Sequence, residues 1–563
     1  MSKSENKQIL LSCKKEFIYK FITSIAIVVL LLIIPILYSK AIDYISYNAF
    51  KKAVVILIIF GVITLIYRFF EIINQKAYYK LYSKLYYNYM NLGLVKTCNN
   101  SLYSLSRFSL SEYSNILTED FEYLSDYYST LIIRVVEILQ FIYIIIYFFF
   151  INKTIGLITL ISSIGVIILL LYYNKHIVKT NELRKDYNDE RVSILQEVFL
   201  SIKEIKGFNM LKKIKKNIDD VINNYILWNN KLNIDKYNIR QIALLIVDIF
   251  KVICLIYCVY LINGSYITIG VITIVYSYYT KLSDLFASII LLNENISNVR
   301  VANRRIFKLF QYAQDNPNNL ENNNDISGHI TFDDVLYGSR NNPTLNYVSF
   351  DIKPNTYNVL TGDERACHGI FELLLSYNRK HSGNIYIDDV EIEKYSKENI
   401  SNNINFIMLP IVFFNKSIKD NLLLFDSNFD NIVSVCKYLD IHDEILKYKD
   451  GYSTILNHNA SNISDDLKYM LSFAKIFLKK SKIILIDDFL PYLTKKRKEQ
   501  VINILNDLKK EHTILFITKN KSIIDNKEVD NILFIHKASF VMLESCVLMK
   551  KNCPLFLEFY KNI

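Results

Sequence analysis

Glycine is scarce in this chain: 13 in 563 residues, where ordinary usage of about 7% would give roughly 40. Few places remain where bare backbone can approach a ligand closely. Cysteine pairing is missing too. The eight cysteines (Cys13, Cys98, Cys254, Cys258, Cys367, Cys436, Cys546, Cys553) contain no CxxC, which fits reduced thiols facing a cytoplasm better than a disulfide framework or a zinc site. Cys254 and Cys258 lie one turn apart without His or carboxylate company, so they read as packing residues. No cleavable signal peptide is expected, because the first apolar stretch, Phe21 to Ser39, is too long and lacks a small-residue cleavage site. The net charge is +11, yet no basic patch is concentrated in the soluble part, which excludes a nucleic-acid role.

What is abundant is apolar. Hydrophobic residues make up 51% and the mean hydropathy is +0.17, too high for an ordinary soluble chain of this length. Six stretches are long enough to cross about 30 Å of hydrocarbon: roughly Phe21–Lys40, Ala53–Ile73, Thr130–Ile151, Thr154–Tyr173, Ile242–Ile262 and Tyr266–Leu292. Spans pair through short links, with long connections after the second and the fourth. The second long connection carries Lys175, Lys179, Arg184, Lys185, Arg191, Lys203, Lys206, Lys212, Lys213, Lys215 and Lys216. Such a basic excess marks the cytoplasmic side, so both long connections and both termini are expected there. Four spans carry opposite charges three residues apart: Arg68 with Glu71, Arg134 with Glu137, Asp248 with Lys251, and Lys281 with Asp284. That spacing puts partners on one helix face. Charge at membrane depth flags function, and Asp248 and Lys251 are the candidates for a substrate pathway; mutual neutralisation is the alternative.

Both long connections read as helix, over Tyr78–Leu94 and Val192–Ile226, with interruptions expected at Asn99–Leu110 and Leu227–Asp235. A polar, breaker-rich segment, Gln314 to Asp325, reads as a linker between residues 1–313 and 326–563. Beyond it, strands are expected at His329–Leu336, Tyr347–Ile352, Tyr357–Leu360, Gly383–Ile387, Asn405–Met408, Ile483–Ile486, Ile514–Ile517 and Asn531–Phe534, alternating with helical patterns. Alternation of that kind is the mark of an α/β nucleotide-binding domain.

The stretch from Gly451 to Phe489, GYSTILNHNASNISDDLKYMLSFAKIFLKKSKIILIDDF, resembles the signature-to-Walker-B region of ATP-binding cassette (ABC) exporters, GYDT…GxNLSGGQ…ILILDEA. Ser111–Leu124 and Glu197–Asn209 resemble the family's "GELxSRLTxDVxxI" and "ExLxGIxxIKAFN". The resemblance covers the whole chain. It implies a membrane α-helical exporter domain of six spans with long cytoplasmic helical extensions, followed by an α/β P-loop-NTPase-like cassette domain. Because the chain starts almost at its first span, no N-terminal peptidase domain is expected.

The departures from the family pattern fall on its phosphate chemistry. A P-loop needs glycines, a Lys and a Ser/Thr hydroxyl. Thr361 to Gly369 reads TGDERACHG, so Gly362 survives, Arg365 and Cys367 replace glycines, His368 replaces the Lys and Gly369 the hydroxyl. His368 is expected to be a neutral surface imidazole. In the signature, Ser464 is followed by Asp465 and Asp466 in place of two glycines, and carboxylates there repel a triphosphate that amides would bind. The switch glutamine falls near Leu409, the switch histidine is Lys519, and the D-loop becomes Pro491 to Thr494. Tyr337 is the candidate adenine stacker, two residues early. Asp487 and Asp488 are the Walker B remnant, read as turn or cap formers in preference to magnesium and water ligands.

The resemblance therefore implies a half-transporter in the plasma membrane that dimerises with a second half, a heterodimer being favoured over a homodimer. ATP and magnesium are expected at the partner's site, with poor ATP binding by this chain itself. The partners implied are the lipid bilayer, the second half and an exported cargo of unread class. A nucleotide-independent regulatory or immunity protein on the same scaffold, and an active ATPase with unusual motifs, are the alternatives.

Overall fold

The computed structural model describes residues 3–101, 105, 110–311, 326–339 and 341–563; the expected linker, 314–325, lies outside them. The chain forms two compact units, one of residues 1–99 and 108–313, the other of residues 314–563 with 100–107.

The first unit is helical. Its helices are α1 (Lys3–Ser12), α2 (Lys14–Ser46), α3 (Phe50–Asn99), α4 (Leu110–Asn115), α5 (Phe121–Ile151), α6 (Lys153–Leu200), α7 (Ile202–Gly207), α8 (Leu211–Asn263) and α9 (Gly270–Gln311). At 1.5 Å per residue, α3, α6 and α8, of 50, 48 and 53 residues, each run for about 70–80 Å, far beyond the thickness of a bilayer core. Among the described residues five helices are long and apolar enough to cross a membrane: Lys14–Ser46, Phe50–Asn99, Glu112–Ile151, Lys153–Leu200 and Leu211–Asn263. The sixth expected span falls on α9, whose side chains at 289–295 lie outside the described set. The α2 helix packs along α3, α6 along α8, and α8 along α9. A core of Phe148, Val247, Cys254, Cys258, Tyr278 and Tyr279 is buried among them.

One expected interruption is corrected. Residues Leu227–Asp235 are continuous helix within α8. No Gly or Pro breaks that stretch, and Trp228 stacks on Tyr187 (6.3 Å, 10°) while Arg191 covers the Tyr225 ring at 4.1 Å. The chain turns earlier, between α7 and α8. There Asn209 takes the left-handed conformation (φ 52°), which asparagine tolerates, and the Met210 N–H reaches back to the Ile205 carbonyl at 3.0 Å. The other interruption is framed by the end of α3 at Asn99 and the start of α4 at Leu110.

The second unit is α/β. Its strands are β1 (Ile330–Ser339), β2 (Asn342–Ile352), β3 (Tyr357–Gly362), β4 (Ser382–Ile387), β5 (Val390–Glu391), β6 (Ile404–Ile407), β7 (Ile483–Ile486), β8 (Thr513–Ile517), β9 (Asn531–His536) and β10 (Ser539–Glu544). One sheet is antiparallel, in the order β2-β1-β4-β5; the other has the order β10-β9-β3-β8-β7-β6 and is parallel from β9 to β6. Its inner strands, Ile-Ile-Leu-Ile in β7 and Thr-Ile-Leu-Phe-Ile in β8, are buried throughout, as continuous apolar runs in a parallel sheet require. The sequence expectation missed β5 and β10. The former has two residues; the latter is a half-exposed antiparallel edge.

Candidate functional site

In an open parallel sheet, ligands bind beyond the carboxyl ends of the strands, and β3, β7 and β8 converge there. Gly362 ends β3 with φ 108°, and a Cβ on it would lie 2.0 Å from the Ile535 carbonyl oxygen. Close passage of β9 alone accounts for this glycine. Asp363 then caps helix α10 (Glu364–Leu374). One carboxylate oxygen accepts from the Ala366 N–H at 3.4 Å, the other from the Ala538 N–H at 3.1 Å. The positive end of the helix, where an anion would be drawn, already meets a carboxylate of its own chain. Glu364 pairs with Lys519 at 2.8 Å across the mouth. Arg365 donates to Asn342 and the Pro343 carbonyl, both at 3.0 Å. Burial pushes the Cys367 thiol up to about 12. Gly369 faces Thr344 and Tyr337: a Cβ would stand 2.7 Å from Thr344 Cγ2 and 3.4 Å from the Tyr337 ring.

His368 is not the free surface imidazole that the sequence suggests. It is half-buried, its Nε2 lies 3.0 Å from Asp487 Oδ2, and its Nδ1 lies 2.9 Å from the Glu364 carbonyl. The Asp487 hydrogen bond and charge hold the imidazole above its ordinary pKa against the opposing effect of burial. Asp487 is buried, which opposes its ionisation. His368 and the N–H groups of Leu409 (3.2 Å) and Asp488 (2.9 Å) outweigh that and hold it below the usual carboxylate range. Asp487 follows the end of β7 and reaches the half-buried His368 of α10, which gives the imidazole a fixed partner. Asp488 turns the other way, accepting from Thr518 Oγ1 and from the Leu490 N–H at 3.2 Å, and burial raises its pKa.

These groups line a cavity of about 490 Å³ with Leu409, Lys519 and the ring pair Tyr469–Tyr492, stacked at 4.7 Å and 8°. The Thr361 hydroxyl in its lining is buried without a hydrogen-bond partner among the described residues. Tyr337 donates its hydroxyl proton to Glu372 at 2.6 Å and accepts from Asn378 at 2.7 Å, so it braces β1 against α10.

Elsewhere in this unit, Ser464 caps helix α11 (Asp465–Leu478). Its hydroxyl accepts from the Leu467 N–H at 3.1 Å and donates to Glu444 at 2.9 Å. The two aspartates after it differ. Asp465 is exposed. Asp466 is turned inward, accepting from the Thr494 N–H at 2.7 Å at the start of helix α12 (Lys495–Leu508) and lying 3.5 Å from Arg497 Nε.

The family model described as the ABC transporter transmembrane region matches residues 17–285. The chain is 23% identical over 312 residues to the uncharacterized ABC transporter ATP-binding protein YfiB of Bacillus subtilis, covering 53% of each chain. It is 24% identical over 269 residues to an ATP-dependent lipid A-core flippase of Saccharophagus degradans, covering 47% of this chain and 46% of that one. Its fold matches the structure of a bacterial Atm1-family ABC exporter with ATP bound, with a TM-score of 0.85, 16% identity and 98% of each chain covered. Residues 17–285 thus match the transmembrane region of ABC transporters, and the chain has the fold of an ABC exporter. It spans about half the length of the curated relatives it matches.

Three of the four charge pairs read from the sequence are ion pairs in this structure. Lys251 donates to Asp248 at 2.5 Å and lies 5.6 Å from the centre of the Tyr276 ring. Arg68 pairs with Glu71 at 2.7 Å and Arg134 with Glu137 at 2.8 Å. Sequence reasoning missed the His368–Asp487 pair, the double use of Asp363 and the tie from Asp466 to Thr494. Each joins residues distant along the chain, and each residue had been weighed only against its place in a motif. The acid at Asp363 was the one legible signal, since Asp before a helix is a common N-cap.

Proposed function

We propose that this chain is the non-catalytic half of a heterodimeric ABC exporter, with six spans, its termini and cassette in the cytoplasm, and a partner half supplying ATP binding and hydrolysis in the plasma membrane. The observation that carries this reading is the His368–Asp487 pair. The positions that the family resemblance gives to a phosphate-binding Lys and a magnesium-linked carboxylate are bonded to each other here. The residues present do not fit a triphosphate with its magnesium. Asp363 holds the helix end, Glu364 adds charge at the mouth, and a Gly369 hydroxyl does not exist. ATP and magnesium therefore belong at the partner's loop, and a homodimer hydrolyses nothing.

In exporters, cassette closure drives the spans, and a cassette without phosphate chemistry can still complete a dimer because docking is packing. Asp465, the exposed aspartate of the signature, is then the group that meets the partner's γ-phosphate. Like charges in a partly dry interface cost on the order of a few kcal/mol, so turnover is slow. The test is steady-state phosphate release from the chain alone and from its complex with an intact half. The chain alone should be inactive and the complex active, and Asp465→Gly should raise the rate of the complex. ATPase activity of the chain alone would refute the reading. An assembled complex indifferent to Asp465→Gly would point to a nucleotide-independent membrane protein.

A further inference from the structure

The N-terminal segment separates its charges by face. Glu5 of α1 pairs with Lys96 of α3 at 3.0 Å, and Glu16 of α2 pairs with Lys84 of α3 at 2.8 Å. Lys20 is buried and donates to Asn74 at 2.9 Å. Both acids and one base are thereby spent against α3. Lys7 and Lys14 are exposed and make no ion pair among the described residues. They border an almost wholly apolar groove of about 480 Å³ whose walls include Phe17 and Phe21 on one side and Leu131 and Val135 of α5 on the other. Asn6 fixes the segment in place: its side chain donates to Tyr128 at 2.6 Å and accepts from Tyr89 at 2.7 Å.

We propose that this groove is a binding site for one anionic phospholipid, with an acyl chain between α2 and α5 and the phosphate at Lys7 and Lys14. The walls Lys14–Phe21 and Tyr128–Val135 each run about 10 Å, a large part of the roughly 15 Å depth of one leaflet's hydrocarbon. The apolar run of α2 begins at Phe21, so the two lysines sit just outside it, at headgroup level. Apolar walls select a hydrocarbon chain, and two unneutralised ammonium groups select negative charge over a zwitterion. Surface lysines next to an anionic leaflet gain about fivefold each in affinity, so the pair gives up to roughly a 30-fold preference. The site is independent of how the cassette handles nucleotide; it rests on the N-terminus lying in the cytoplasm.

The test uses the full chain in nanodiscs, with Trp228→Phe and Leu131→Trp so that a single indole reports on the groove. Brominated phosphatidylglycerol should quench it at a lower mole fraction than brominated phosphatidylcholine, and Lys7→Gln with Lys14→Gln should abolish the difference. Native mass spectrometry of the unaltered chain and the double lysine variant gives a second reading free of the reporter. One phosphatidylglycerol should be retained by the first and lost by the second. Equal quenching by both lipids, or a preference that survives removal of both lysines, would overturn the proposal. So would displacement of the lipid by soluble glycerol phosphate, which would assign the lysines to a free anion.

Discussion

Asp465 and Asp466 are adjacent, carry the same charge and stand in the same first turn of α11, yet their replacement by alanine should have different consequences. Both lose the same favourable interaction with the helix dipole and gain the same helix propensity. Only Asp466→Ala removes the acceptor of the Thr494 N–H at 2.7 Å and a carboxylate 3.5 Å from Arg497. A hydrogen bond to a charged acceptor contributes about 1.5–3 kcal/mol. Because the Asp466 side chain is 21% exposed, water takes back part of that, leaving about 1–2 kcal/mol. Arg497 keeps the Asp440 carbonyl at 2.7 Å and Glu444 at 3.5 Å, so the loss is confined to the start of α12. Hydrogen exchange followed by mass spectrometry on the full chain reads this directly. Exchange across residues 490–500 should rise about 5- to 30-fold in Asp466→Ala, since local opening follows the free energy lost, and stay near the parent rate in Asp465→Ala. Equal changes in the two variants would refute the tie between α11 and α12.

The His368–Asp487 pair predicts a pH window. His368 is raised above 6.5 and Asp487 lowered below 3.8. Their contribution is thus full between those values, fades as pH rises through the raised histidine pKa, and fades as pH falls through the lowered aspartate one. Protection of residues 364–374 should fall on going from pH 6.5 to 8.5, and His368→Gln should remove that dependence. Gly362→Ala should destabilise the cassette by about 3 kcal/mol or more, seen as an early loss of protection in β3 and β9, because a Cβ meets the Ile535 carbonyl oxygen in a left-handed backbone. Single cysteines at Lys203 and Tyr560 should resist impermeant labelling of intact cells; labelling from outside would overturn the topology.

Much of the architecture was legible because its signals are local. Apolar runs and basic connections located the long helices, and short β-branched runs located eight of the ten strands. The break near Asn209 was displaced to Leu227–Asp235 because the asparagines there look like breakers until Tyr187 is seen to stack on Trp228 and Arg191 to cover Tyr225. At the site, the motif positions could be counted off, but what the substituted residues do instead could not. Asp487 lies 119 residues from His368 and Asp466 lies 28 from Thr494. The strand order of the sheet brings the first pair together and the meeting of two helix starts the second, and neither is written in spacing.

Under the proposed loss of phosphate chemistry, the crowding at Gly369 gives that loss a direction. A serine or threonine in its place would press its Cβ onto Thr344 Cγ2 at 2.7 Å, so the hydroxyl cannot simply be put back; Thr344 has to shrink first. A glycine at Arg365 forfeits the bonds to Asn342 and Pro343, and a lysine at His368 gives up the imidazole's bond to the Glu364 carbonyl. Each step back passes through a cassette less stable than the present one, with nothing gained until the last is taken.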